Sequence, residues 1–356
     1  MATTYSNLKK LSDKHGEIEF QAEIATETLE RYILDELEHY AARMTLPGFR
    51  KGKVPHHLVR EQVGEMDLLE GAADEALRDA MQEMAEQEKL DVLGRPELTV
   101  LKIAPKNPLE FKVRYALAPE VSLPDYRKIA RGIMERKDDL AVKDTEIDEA
   151  IERIREMTGM VPPKKEGEDG TAEKSAPLTD EDVKKFGPFA DVAAFRAEIA
   201  KSLAREKEMN AKDEKRNEMV KAIVEHAKAK VPEMLVEQEL REFTGDRDRQ
   251  IAEAGLSMEE YLKRTGKTAE QLGKEERSLI EEDIKTSLVI RAMKEKESLD
   301  PSEREIQIGI ARLKLRYPDR DEASLRRTAE AQAIQDKLFD MLENPDGKEI
   351  PEDKGV

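Results

Sequence analysis

From Asp191 to Pro232 the chain runs for about 40 residues without a glycine or an internal proline, and this stretch limits what the molecule can become. It reads as one helix with two different ends. Phe195, Ile199 and Leu203 place an apolar stripe at the first end; Met219, Val220, Ile223, Val224 and Ala227 place another at the second. Between them, residues 204–218 are nearly all polar or charged. A helix with such a middle is expected to be an arm rather than a core element. The composition points the same way. Charged residues make up 39% of the 356, against about 25% in an ordinary globular domain. Aromatics are 4% and tryptophan is absent, so too few large apolar side chains exist to fill one large core. Two or three domains with much surface per residue fit better. Strong helical periodicity argues against a wholly disordered chain.

The first ~118 residues read as one α+β domain. Glu17–Ile24 alternates polar and apolar side chains, the pattern of a half-buried strand, and His15-Gly16 turns back to a first strand near residues 5–12. Thr26 reads as an N-cap, with Glu27 and Glu30 in the first turn. Leu29, Tyr32, Ile33, Leu37, Tyr40, Ala41 and Met44 then follow at helical spacing, and Pro47-Gly48 must end that helix. Pro55 can open the next one at its first position, residues 66–89 form another, and Gly94-Arg95-Pro96 breaks it. Residues 97–103 and 109–117 read as two strands.

Beyond residue 118 the chain reads as helical. A helix spans Thr145 to Gly159, and the Pro-, Gly- and charge-rich residues 160–178 read as a flexible segment. Ser257 with Glu260, and Thr268 with Gln271, match the capping box, in which two side chains satisfy each other's free amides. Asp300-Pro301 suggests a helix with proline at its first position, and Gly255 and Gly266 stand where helix ends take a left-handed residue. Residues 233–342 therefore read as several antiparallel helices, and the last residues from Asn344 as a frayed tail.

Net charge sharpens the functional reading. The chain carries −18, which disfavours general coating of nucleic acid but leaves room for a local basic patch. From His39 to Arg60 there are 22 residues with no Asp or Glu, where about five would fall by chance. The stretch holds Arg43, Arg50, Lys51, Lys53 and Arg60, with His56 and His57, and its centre is Leu46-Pro47-Gly48-Phe49-Arg50-Lys51-Gly52-Lys53-Val54-Pro55. Such a loop projects an apolar ring and several cations, suited to docking on a mixed RNA and protein surface. Charge alone fits an exposed polar turn equally well.

Gly48-Phe49-Arg50-Lys51-Gly52-Lys53-Val54-Pro55 resembles the ribosome-docking signature of trigger factor, a family of bacterial chaperones of nascent chains. Two further stretches are similar to the same family. One is Ala118-Pro119-Glu120-Val121-Ser122-Leu123-Pro124-Asp125-Tyr126. The other is Val231 to Leu240 with Gly255-Leu256-Ser257-Met258-Glu259-Glu260-Tyr261-Leu262 and Thr265-Gly266-Lys267-Thr268. The resemblance implies docking on the large ribosomal subunit, its protein and rRNA at the exit tunnel, through Gly48, Phe49, Arg50, Lys51, Gly52 and Lys53. It implies an α+β ribosome-binding domain over 1–118, an extended linker over 119–143 and a mainly α-helical, elongated client-binding domain with arms over 144–343. A flexible tail would occupy 344–356. The family's prolyl-isomerase domain would sit at 160–178, which is too short to build it.

The expected function is thus an ATP-independent chaperone that shields nascent polypeptides. The alternatives are a peptidyl-prolyl isomerase, as in full-length members, and a ribosome-free holdase. No catalytic residue, metal or cofactor is expected. With no cysteine, thiolate chemistry and disulfides are excluded. Gly266-Lys267-Thr268 fails as a P-loop, because Tyr261 stands where the first glycine belongs. His56 and His57 point about 100° apart on a helix, and His15, His39 and His226 lack a partner at ligand spacing. No secretion signal or membrane span is read, so a cytoplasmic protein is expected, free of membranes and able to form a homodimer when off the ribosome.

Overall fold

A computed structural model describes residues 3–50, 52–159 and 178–344. The chain begins β1 (Ser6–Lys14), β2 (Glu17–Ile24), α1 (Thr26–Arg43), α2 (His56–Val63), α3 (Glu65–Gln87), β3 (Val92–Lys102) and β4 (Leu109–Leu117). It continues α4 (Tyr126–Met134), α5 (Asp144–Met157), α6 (Asp180–Val183), α7 (Val192–His226), α8 (Glu233–Glu253), α9 (Met258–Thr265), α10 (Ala269–Glu297), α11 (Glu303–Arg316) and α12 (Glu322–Glu343). A small sheet with helices is thus followed by a mostly helical remainder. Contacts gather these elements into two units, each made of two separated stretches: Met1–Leu123 with Ala227–Lys296, and Pro124–His226 with Glu297–Val356.

In the first unit the strands form an antiparallel sheet in the order β1-β2-β4-β3. Alternation in β2 and β4 aims one set of side chains at the core. Ile18, Phe20, Ala22 and Ile24 pair across with Tyr115, Val113, Phe111 and Leu109, and all eight are buried. Two helices cover that face. α1 contributes Leu29, Ile33, Leu37 and Ala41, one per turn. α3 contributes Leu68, Leu69, Leu77 and Met84 among the small residues Ala72, Ala73, Ala76 and Ala80, which bring its backbone close to its neighbours. The Tyr115 hydroxyl, buried with its ring, donates to the Met81 carbonyl at 2.8 Å.

Several boundaries differ from those read in the sequence. Ala25 is the N-cap of α1 without a side-chain bond, and Thr26 is already helical. Pro55 caps α2 from outside, and Ser302 rather than Asp300 caps α11, in a full capping box with Glu305. Gly94-Arg95-Pro96 does not precede the strand but lies within β3. The ladder absorbs it as a register shift between Leu93 and Glu97, where Gly94 has φ 63°. The capping box at Ser257 and the reciprocal bonds of Thr268 and Gln271 form as read, and Gly255 and Gly266 take positive φ. The segment 160–178, apart from Leu178, and the tail beyond Asn344 lie outside the described residues.

In the second unit the long helix is α7, and it ends at His226 rather than Pro232. Its two apolar ends are buried as the sequence suggests: Phe195 at one, Met219, Ile223 and Val224 at the other. Phe195 stacks on Phe186 at 5.3 Å and meets Phe189 edge-on at 4.9 Å, over Ile147, Ile151 and Val183. The polar middle, however, is laterally tied. Lys207 reaches Glu146 at 2.8 Å, Lys215 reaches Asp138 at 2.6 Å, and Arg216 reaches Glu343 at 2.5 Å while lying over the Phe339 ring. Charge periodicity marks such a helix as solvated, but it does not say which neighbours its charges meet.

Candidate functional site

The acid-free stretch begins in the last turns of α1 and ends inside α2. α1 stops because Met44 turns extended while its N–H still reaches the Tyr40 carbonyl at 2.8 Å. The connecting loop is pinned at both feet. Met44 and Leu46 pack against the main core on one side; Val54 and Val59 are buried on the other. Between the feet lie two consecutive turns. The Phe49 N–H donates to the Leu46 carbonyl at 3.1 Å, across Pro47 and Gly48, and the Lys53 N–H donates to the Arg50 carbonyl at 2.9 Å. Gly48 and Gly52 have φ 90° and 78° and occupy the third position of each turn, where positive φ is required. A Cβ added to either would meet no atom within 4 Å, so the backbone angle and not crowding calls for glycine there.

The two turns hold Phe49 and Arg50 between them. Phe49 is 40% exposed, a large cost in water for a ring with nothing to cover it. Arg50 and Lys53 are exposed, and among the described residues neither has a carboxylate partner. Arg43, His56 and His57 are exposed nearby in sequence, while Arg60 is engaged by Glu65 at 3.5 Å. Gly48, Phe49, Arg50, Gly52 and Lys53 therefore share one exposed loop. Lys51, the sixth expected residue, lies outside the described residues.

Two features escape a reading of the sequence. One is a groove of about 540 Å³ in the first unit. Leu235 and Phe243 of α8, Ile280, Ile284 and Leu288 of α10 and Leu93 of β3 floor it. Glu239, Glu242, Asp246 and Asp283 rim it. Its signal was present in the four-residue spacing of Ile280, Ile284 and Leu288, but not the partner face. The other is that His39, which lacks an evident partner in sequence, has its Nδ1 3.6 Å from Glu36. With Glu75 of α3, these residues bring ligand-capable atoms within 4.8 Å of one another. The methionines sort by burial: Met219 is fully buried, Met258 intermediate and Met209 67% exposed.

The family model described as "Bacterial trigger factor protein (TF)" matches residues 6–154, and the one described as "Bacterial trigger factor protein (TF) C-terminus" matches residues 191–343. The chain belongs to the trigger factor family. It lacks the middle prolyl-isomerase region. The trigger factor of Moorella thermoacetica is 23% identical over 379 residues, covering 84% of this chain and 84% of that protein. The trigger factor of Thermoanaerobacter pseudethanolicus is 24% identical over 392 residues, covering 87% and 89%. A solved structure reported under the heading of promiscuous substrate recognition in folding and assembly activities of the trigger factor chaperone has a TM-score of 0.54 at 16% identity. It covers 95% of this chain and 99% of that one, a likeness in fold. The loop that carries Phe49 falls inside the N-terminal trigger factor match, and α8 and α10 of the groove fall inside the C-terminal one. Among the described residues no helix is long and apolar enough to cross a membrane.

Proposed function

We propose that this chain is a ribosome-associated, ATP-independent chaperone that docks through Gly48, Phe49, Arg50, Lys51, Gly52 and Lys53 and shields nascent polypeptides. One observation carries the reading: in a trigger factor, an exposed Phe and unpaired cations stand between two glycine turns on an acid-free stretch. Cations meet rRNA phosphates of the large subunit, and the ring fills an apolar recess on a ribosomal protein at the exit tunnel. Residues 1–118 serve as the docking domain, and client segments lie on apolar surfaces such as the α8–α10 groove, each bound weakly and several together usefully. Off the ribosome, in the cytoplasm, these same surfaces pair two copies of the chain.

Salt separates the two activities. Co-sedimentation with ribosomes should weaken steeply as salt rises from about 50 to 200 mM, because each phosphate contact releases a counterion. Suppression of aggregation of a refolding client should persist over that range, since apolar burial is not screened. Ribosome binding indifferent to salt would count against docking by this loop.

A further inference from the structure

The chain has a second acid-free basic stretch. Ile306 to Pro318 contains no Asp or Glu in 13 residues, where about three would fall by chance, and carries Arg312, Lys314 and Arg316. It forms most of α11 and the turn toward α12, and Arg320 follows two residues later. α11 packs on α12 through Ile306, Ile310 and Leu313 against Leu325 and Ala329. Its other face is outside. Arg304, Ile308, Arg312 and Arg316 recur at every fourth residue and so form one row, all exposed. Beyond them Leu315 is 89% exposed, and Tyr317, 42% exposed, has the Arg316 and Arg320 guanidiniums 5.7 and 5.4 Å from its ring centre.

Pairing distinguishes these cations from two others on the same hairpin. Elsewhere on the hairpin Arg326 binds Glu303 and Lys337 reaches Glu305 at 3.1 Å. Among the described residues, Arg304, Arg312, Lys314, Arg316 and Arg320 have no carboxylate partner, in a chain with 79 acids to 61 bases. A row of guanidiniums along a stretch free of Asp and Glu from Ile306 to Pro318, with an exposed aromatic ring at its end, is what a flexible phosphate polymer with stacking bases binds.

We propose that the α11–α12 tip is a binding site for single-stranded RNA. Phosphates engage Arg312, Lys314, Arg316 and Arg320, and an unstacked base lies against Tyr317 and Leu315. This goes beyond the docking loop and does not depend on it.

The test uses the full chain and a fluorescein-labelled twelve-nucleotide oligouridine, with binding read by anisotropy over a salt series. Four phosphate contacts predict a log–log salt slope of about −3 for a single strand. R312Q, R316Q and R320Q combined should weaken binding at least about tenfold at low salt and flatten the slope to about −1. R320Q alone, between the two helices, should cost several-fold, so that a folding defect in the triple variant would not hide the result. Y317A should weaken binding about tenfold with the slope unchanged, as lost stacking does. F49A with R50A should leave oligonucleotide affinity within about twofold while ribosome co-sedimentation falls, which separates this site from the docking loop. Three results would overturn the proposal: wild-type protein that does not bind, tip variants that bind as well as wild type, or displacement of the RNA by polyglutamate of equal charge. The last would assign the tip to acidic polypeptides.

Discussion

Phe49 and Arg50 owe their presentation to their glycine neighbours. A side chain at Gly48 would force a left-handed backbone that costs a non-glycine residue about 1–2 kcal/mol. Gly48→Ala should therefore lower ribosome affinity roughly fivefold or more, since about 1.4 kcal/mol is a factor of ten, while leaving far-UV circular dichroism unchanged. Affinity unchanged by the substitution would mean that the turn is not the docked conformation. Much of this loop was legible in the chain. Pro47-Gly48 marks where the preceding helix ends, and the absence of acids across 22 residues marks the charge. What was not legible is that Leu46 and Val54 anchor the feet, because their partners lie in other elements.

At the scale of elements, local signals were read more reliably than lateral ones. Capping boxes close within four residues, so Ser257 with Glu260 could be seen directly. Strand β3 could be seen only from Glu97 onward, because Gly94 and Pro96 in its first part are local breakers that only the ladder to β4 overrides. The Arg247–Glu276 pair between α8 and α10 is equally invisible in sequence. Glu276 is buried, and Arg247 meets both its oxygens at 2.5 and 2.6 Å while also reaching Asp248. Glu276→Leu removes the buried partner and leaves the guanidinium with Asp248 alone, and should destabilise the first unit by about 2–4 kcal/mol, seen as a lower urea midpoint and faster amide exchange in both helices. Restoring much of that loss with Arg247→Leu as a second change would show that the pair, not the packing, was responsible.

The α11–α12 hairpin adds a pH dependence. Arg326, with Gln307 beside it, holds the Glu303 carboxyl at about 2; the Ser302 hydroxyl and N–H, then Lys337, hold Glu305 at about 2. Both sit below the ordinary value near 4.3, so the unfolded hairpin takes up protons first as pH falls. Their contribution is complete above about pH 5 and is lost progressively toward pH 2. Amide exchange in α11 should accelerate over that window, and E303Q with E305Q should remove most of the acceleration. Exchange indifferent to pH between 5 and 2.5, after correction for its intrinsic rate, would contradict this.

For the whole molecule, each compact unit is closed by a stretch distant in sequence: Ala227–Lys296 joins the first, and Glu297–Val356 joins the second. Periodicity identifies the helices but carries no record of which unit they join, so that division is a property of the fold alone. Charge, by contrast, is legible at this scale. Against a net charge of −18, the two acid-free basic stretches, His39–Arg60 and Ile306–Pro318, stand out in the sequence itself.

The most direct measurement is co-sedimentation of salt-washed ribosomes with the full chain in which Phe49, Arg50 and Lys51 are all replaced by alanine. The docking account predicts that the variant stays in the supernatant at a low salt concentration where wild type pellets, with its helical circular dichroism and its suppression of client aggregation intact. A variant that pellets with ribosomes as completely as wild type would contradict it.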